Sequence, residues 1–358
     1  MRFRNLFFLF LVAAPAAPLQ AQSPEAINHY RNGYQLLKNR NYRNAAIELE
    51  QAVSADSTYG AAYYALAQAY KILNEYPKAI RAFEAARRLG VFPERISGEL
   101  AQLYYKSGVS LYQQRKYEEA VSFFEKALEL DRNNAKAHYA MGLCYKGLGE
   151  WEKAGECFEK AIEADPKYPK PYKALGDLQR RSRNYEAATD MYRKAIAVDS
   201  TYMDAYGGLA RVMLENEDFQ GTIDLMRKAL ARAPRYALGY LFLGTALSEA
   251  GRYHEAVEPL RRAVRLAPRN AEAYYRLGEA YYGKGDFRKA VEAGQNAVRK
   301  KRGFHAAEVL IGDAYRQLGR PDQARIWYER GMKDSRFREY CRHQLEELKR
   351  TVPPGGQH

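Results

Sequence analysis

Three cysteines in 358 residues cannot form a complete set of disulfides within one chain, which excludes a disulfide-stapled scaffold. Fourteen prolines interrupt helices only rarely. The single long apolar run, "LFFLFLVAA", is well short of the ~20 residues a membrane-spanning helix needs. Reactive chemistry is equally scarce. There is no phosphate-binding glycine loop, no nucleophile elbow and no zinc-type cysteine pair. The six histidines (His29, His138, His254, His305, His343 and His358) are scattered without metal-ligand spacing. No catalytic site, metal or cofactor is expected.

What the chain does contain favours helices. Hydrophobic residues make up 47%, and Ala, Leu, Glu, Lys and Arg are abundant. The N-terminus is a separate object: "MRFRN" is basic, the apolar run follows, and "PAAPLQAQ" offers a small-residue cleavage site after Ala21. That order predicts a secretory signal peptide over 1–21, with a retained N-terminal anchor as the alternative. The formal charge of +14 includes Arg2 and Arg4, which cleavage would remove.

The remainder repeats itself. "AEAYYRLGEAYYGKGDFRKA" (271–290) returns as "AKAHYAMGLCYKGLGEWEKA" (135–154) and "LGYLFLGTALSEAGRYHEA" (238–256). A small residue stands at Gly33, Ala67, Gly108, Gly142, Gly176, Ala210, Gly244, Gly278 and Gly312, at steps of 34 with one step of 41. A second small residue follows twelve positions later, from Ala45 to Ala324, and a third seven further on, from Ala52 to Gly331. Each period fits two amphipathic helices joined by a short turn such as "KGDF" or "AGRY", with small residues where the helices cross. Pro77 and Pro321 begin second helices, while Pro166, Pro234 and Pro268 close their units.

A 34-residue helix–turn–helix unit with these columns resembles the tetratricopeptide repeat. Nine units are read: 26–59, 60–93, 101–134, 135–168, 169–202, 203–236, 237–270, 271–304 and 305–338. The resemblance implies an all-α, right-handed superhelical solenoid, its inner groove lined by the first helix of each unit. A capping helix is expected over 339–352 and a disordered tail over 353–358. Three departures stand out. "ERISGEL" (94–100) adds close to two helical turns, Thr222 replaces the usual alanine and should loosen its crossing, and Pro259 falls inside a second helix.

In that family the groove-facing side chains are the second, fifth, ninth, twelfth and thirteenth of each unit. Here the fifth position supplies Tyr30, Tyr64, Tyr105, Tyr139 and Tyr275, a ladder suited to an extended peptide or, equally, to packing. Lys71 holds a groove position in the second unit, and Lys146, Lys170, Lys173, Arg180 and Arg181 cluster at groove positions of the fourth and fifth units, beside that ladder. Such cations suit an acidic segment or a C-terminal carboxylate, with a solvated basic face as the rival reading. Members that bind acidic chaperone tails carry a paired asparagine where this chain has Asp177, so that specificity is not transferred. His29 and His138 are assigned to packing. Cys144 and Cys157 are either a disulfide or two separate thiols, with Cys157 expected half exposed; Cys341 is the candidate reactive thiol.

The expected function is an exported, non-enzymatic scaffold or adaptor, in a bacterial periplasm or outer envelope. It would hold a segment of a protein partner, possibly acidic, in the groove. Two alternatives are an accessory subunit docking through the basic outer face around 251–304, and a binder of glycan or anionic polymer. Nucleic acid is not an expected partner, and nothing in the sequence sets the oligomeric state.

Overall fold

A computed structural model describes residues 22–351. The leader read over 1–21 and the tail 353–358 lie outside the described residues. Among the described residues every regular element is an α-helix, and there are nineteen. None is long and apolar enough to cross a membrane. The described residues divide into two compact units, one up to Pro166 and one from Lys167.

The first unit holds four helix pairs. These are α1 (Pro24–Lys38) with α2 (Tyr42–Ala55), α3 (Gly60–Ile72) with α4 (Tyr76–Arg88), α5 (Pro93–Gln113) with α6 (Tyr117–Leu130), and α7 (Ala135–Leu148) with α8 (Trp151–Ala164). The second unit holds five pairs and a final helix. They are α9 (Pro169–Arg181) with α10 (Tyr185–Val198), α11 (Met203–Glu215) with α12 (Phe219–Arg232), and α13 (Ala237–Glu249) with α14 (Tyr253–Leu266). Then come α15 (Ala271–Gly283) with α16 (Phe287–Lys300), α17 (His305–Gln317) with α18 (Pro321–Gly331), and α19 (Arg338–Thr351). Within each unit a second helix packs on its own first helix and on the first helix of the next pair.

One backbone conformation makes every turn. The residue one or two past each first helix has positive φ: Arg40, Asn74, Arg115, Gly149, Arg183, Glu217, Gly251, Gly285 and Gly319. This left-handed residue ends the first helix and aims the chain into the second. Side-chain caps start several helices, as where Ser23 Oγ accepts from the Ala26 amide and Asn134 Oδ1 accepts from the Ala137 amide.

The small-residue columns have a partner sixteen residues on. That position holds Leu49, Phe83, Phe124, Phe158, Tyr192, Met226, Leu260 and Tyr328, all fully buried. A Cβ on Gly33 would lie 2.6 Å from Leu49, on Gly108 2.7 Å from Phe124, and on Gly312 2.8 Å from Tyr328. The glycine of the first helix is thus the socket for one large side chain of the second. The α15/α16 pair departs from this, because the large residue is replaced by Gly294. Leu310 and Ile311 of α17 fill the space instead, within 2.8 Å and 2.5 Å of where Cβ atoms on Gly278 and Gly294 would stand.

The seven added residues give α5 21 residues against the usual 13 or 14. They let it serve two registers. Tyr104 donates its hydroxyl to Glu84 as Tyr70, 34 residues earlier, donates to Glu50. The N-terminal part of α5 therefore holds α4 as α3 holds α2. The C-terminal part holds α6, where Gly108 receives Phe124. Seven residues advance the register by about two turns, so one continuous apolar face meets both neighbours.

Elsewhere the Thr222 hydroxyl donates to the Asp218 carbonyl of its own helix at 2.8 Å, and α11 meets α12 over less of its length than other pairs do. Helix α14 runs on through Pro259. At the C-terminal end α19 closes the apolar surface of α17 and α18, and Cys341 is fully buried beside Val309, Ala324 and Tyr328. All three thiols are free and buried. Cys157 is 4% exposed rather than half exposed, because α8 turns it inward beside Phe158. Burial pushes Cys144 up to about 12 and Cys157 and Cys341 up to about 11, so Cys341 is not the reactive thiol its place on the last helix implied.

Candidate partner-binding faces

In the first unit, the fifth-position tyrosines are built into aromatic pairs with the second helix. Ring centroids lie 5.8 Å apart for Tyr64 and Phe83, 5.9 Å for Tyr105 and Phe124, and 5.6 Å for Tyr139 and Phe158. The phenylalanines are the same side chains that enter the glycine and alanine sockets, so socket and tyrosine rung are one construction. The three tyrosine rings are half-buried, and desolvation raises the phenol pKa of Tyr64 and Tyr105.

Tyr64 and Lys71 are already engaged by the added residues of α5 and the loop before it. Phe92, in the left-handed region at φ 40°, packs its ring 5.5 Å from Tyr64, and the Arg95 guanidinium lies 5.7 Å over the same ring. Lys71 Nζ donates to Glu99 Oε2 at 2.8 Å. Tyr64 and Lys71 are thus half-buried and already hold contacts with the helix extension. Tyr105 has no such cover, and Lys146 sits half-buried near the end of α7.

In the second unit the expected basic cluster is largely balanced. Lys173 Nζ pairs with Asp177 Oδ2 at 2.8 Å, and Arg180 pairs with Glu215 of α11 at 3.0 Å. Lys170 and Arg181 are exposed. Asp177, where the acidic-tail binders carry asparagine, also accepts a 2.8 Å hydrogen bond from the buried hydroxyl of Tyr192. Asp313 and Tyr328 repeat that arrangement at 2.7 Å. The carboxylate is the counterpart of a tyrosine in the socket, where the other pairs have an apolar residue.

Two features escaped the reading of the sequence. Arg276 on α15 contacts three carboxylates: Glu272 at 2.9 Å, Glu279 at 3.0 Å and Glu249 of α13 at 3.3 Å. Glu279 is half-buried there, and desolvation raises its carboxyl pKa. The spacings 272/276 and 276/279 signal the local part of this group; Glu249 needs the packing of α13 on α15. The second feature is an aromatic residue just before six of the nine first helices, at Tyr59, Phe92, Tyr168, Tyr202, Tyr236 and Phe304. Tyr59 meets Tyr30 at 5.0 Å and Phe304 meets Tyr275 at 5.1 Å. Tyr30 and Tyr275 are thus enclosed from two sides.

His29 and His138 make structural contacts. His29 Nδ1 lies 2.9 Å from Glu48, and His138 Nε2 lies 3.0 Å from the Arg132 carbonyl. Among the described residues no group of three or more His, Cys, Asp or Glu side chains could hold a metal ion.

Comparison with known proteins agrees with this architecture. One tetratricopeptide-repeat family model matches residues 30–90, 173–237 and 278–335, more than half of the chain. Further models of the same repeat match 111–178 and 244–285. A curated relative, the TPR repeat-containing protein MJ1428 of Methanocaldococcus jannaschii, is 27% identical over 124 residues, which is 34% of this chain and 20% of that protein. Among solved structures, the C-terminal part of a TPR repeat-containing protein from Cytophaga hutchinsonii aligns with a TM-score of 0.52 at 16% identity. That match covers 67% of this chain and 99% of the other. MamA protein is 25% identical, with a TM-score of 0.42, over 53% of this chain and 98% of its own.

Proposed function

Because this chain belongs to the tetratricopeptide repeat family, we propose that it is a non-enzymatic binding protein. It holds a segment of another protein along the groove-facing sides of its first helices. Tyr105 and Tyr139 are the anchors. The observation that carries this is the state of the Tyr105 ring, fixed from behind by Phe124 yet only half covered. A ring held in place loses little freedom on binding, while its uncovered edge and hydroxyl offer apolar area and a hydrogen bond.

The pairing of Lys71, Lys173 and Arg180 inside the chain shifts the expected selectivity. The partner is chosen mainly by apolar and hydrogen-bonding side chains, with acidity a secondary preference served by the exposed Lys170. The binding protein acts after export, in a bacterial periplasm or outer envelope; the basic, apolar and small-residue order of residues 1–21 supports this.

The test compares wild type with Tyr105→Ala/Tyr139→Ala in affinity capture from the native cell envelope, after equal helical content and melting are shown. The reading predicts one protein partner whose affinity falls by about tenfold or more in the variant. Capture unchanged by the substitution would reject these anchors. Export is tested by N-terminal sequencing of protein recovered from the envelope, which should begin at Gln22.

A further inference from the structure

Past residue 21 the net charge of this protein lies in one unit. Residues 22–166 hold 19 Lys/Arg and 19 Asp/Glu, whereas residues 167–358 hold 36 and 24, a net of +12. The division is sharpest at one position of the second helices. Reading that position from α2 to α18 gives Glu50, Glu84, Glu125, Glu159, Arg193, Arg227, Arg261, Gln295 and Glu329.

Glu50 and Glu84 are used within the chain, each accepting from the tyrosine of the following first helix. Arg261, with Arg262 and Arg265, shares Glu258. The middle of the column is different. On α6 and α8, Glu125 with Glu129 and Glu159 with Glu163 are exposed and form no ion pair. On α10 and α12, Arg193 with Lys194 and Arg227 with Lys228 are likewise exposed and unpaired. Each unit therefore carries two rungs of two like charges, acidic on the first and basic on the second.

From this we propose that the α6/α8 face of one molecule docks on the α10/α12 face of a second copy of this chain. Complementary sign alone would admit any acidic partner. Spacing makes the choice. Glu125 and Glu159 stand at the same helical position as Arg193 and Arg227, 34 residues apart in each case, in the same repeated helix pair; the second charge of a rung follows four residues on in the acidic rungs and one residue on in the basic rungs. Their rungs are therefore set by one repeat geometry and are commensurate, which an unrelated polyanion is not obliged to be. The neighbouring groups act in two directions. Lys126 and Lys160 on the acidic side, and Asp190 and Asp224 on the basic side, lie beside the rungs and fix the register by penalising a shifted alignment. Because the two faces differ, the contact is heterologous: it either closes reciprocally in a pair or extends from copy to copy.

The test is sedimentation equilibrium of the purified full chain at low and at physiological ionic strength. Exposed ion pairs are screened over about 8 Å at physiological salt, so association should depend on concentration at low salt and weaken by about tenfold or more as salt rises. Arg193→Glu/Arg227→Glu and Glu125→Arg/Glu159→Arg should each sediment as single chains while keeping wild-type helicity. An equimolar mixture of the two should associate again, because both junctions are then complementary. Tyr105→Ala/Tyr139→Ala should associate like wild type, which separates this contact from partner binding on the first helices. A wild type that remains a single chain at low salt overturns the proposal. So does a mixture that fails to associate, or a chain that binds heparin through Arg193 and Arg227 without self-association.

Discussion

The turn residues offer a quantitative check on how the helix pairs are held. Five of the nine left-handed positions carry a side chain, at φ of 59° for Arg40, 61° for Asn74, 62° for Arg115, 60° for Arg183 and 58° for Glu217. An L-residue in this region costs roughly 1–2 kcal/mol. Glycine relieves that strain but gives back about 0.5–1 kcal/mol in unfolded-chain entropy. The net gain at Arg40, Arg115, Arg183 or Glu217 is therefore roughly 0.5–1 kcal/mol each. Asn74 should gain less, since asparagine tolerates this conformation. None of the four side chains makes a hydrogen bond or ion pair whose loss would offset the gain, and all are exposed. They lie on different helix pairs, so their effects should add to about 2–4 kcal/mol.

Urea unfolding followed by far-UV circular dichroism measures this, with alanine variants at the same sites as controls. Alanine keeps the unfavourable φ, so Arg115→Ala should leave the midpoint near that of wild type while Arg115→Gly raises it. Array proteins need not unfold in one step. The comparison of glycine with alanine at one site is therefore the decisive quantity. If alanine stabilises as much as glycine, or glycine lowers the midpoint, the reasoning from backbone strain fails.

Further expectations concern the core and its titrating groups. Gly108→Ala and Gly142→Ala place a methyl 2.7 Å and 2.6 Å from fully buried phenylalanine rings, so each should destabilise by about 1–3 kcal/mol in thermal or urea melts. Asp313 is half-buried, and desolvation raises its carboxyl pKa against hydrogen bonds from Tyr328 and Tyr340. A raised folded value means that its stabilising contribution is full below the ordinary Asp range and is lost as pH climbs through the folded value. Melting temperatures from pH 4 to 7 should thus show Asp313→Asn gaining on wild type as pH rises. All three thiols should resist a disulfide reagent at pH 8 in the native protein and react at once in denaturant, since burial holds them at about 11 to 12.

The helical array was legible because its cause is periodic. Gly108, Gly142 and Gly176 recur at 34 residues because each must admit Phe124, Phe158 or Tyr192, and a socket cannot move without its occupant. The same periodicity hid the exceptions. Gly294 removes the occupant beside Gly278, and only packing shows that Leu310 takes its place. Partner-facing positions were legible as positions, since tyrosine recurs at the fifth residue. Their state was not. Whether Lys71 is engaged depends on Glu99, which sits in the added segment and reaches Lys71 only because α5 serves two registers. The basic cluster read as a clamp for the same reason: Glu215 is 35 residues from Arg180, beyond any local spacing rule. Asp177 looked like a departure from a binding pattern, and became intelligible only once Tyr192 was seen buried beneath it.

The central claim is that a protein partner lies along the first-helix faces, anchored at Tyr105. Site-specific photocrosslinking in the native envelope tests it most directly, with the crosslinker at Lys136 on α7 and, separately, at Glu152 on α8, both exposed. The account predicts that one protein is crosslinked from position 136 and not from 152, through a mappable segment, and that Tyr105→Ala abolishes the product. Crosslinking from 152 alone, or a product at 136 that survives Tyr105→Ala, would contradict it.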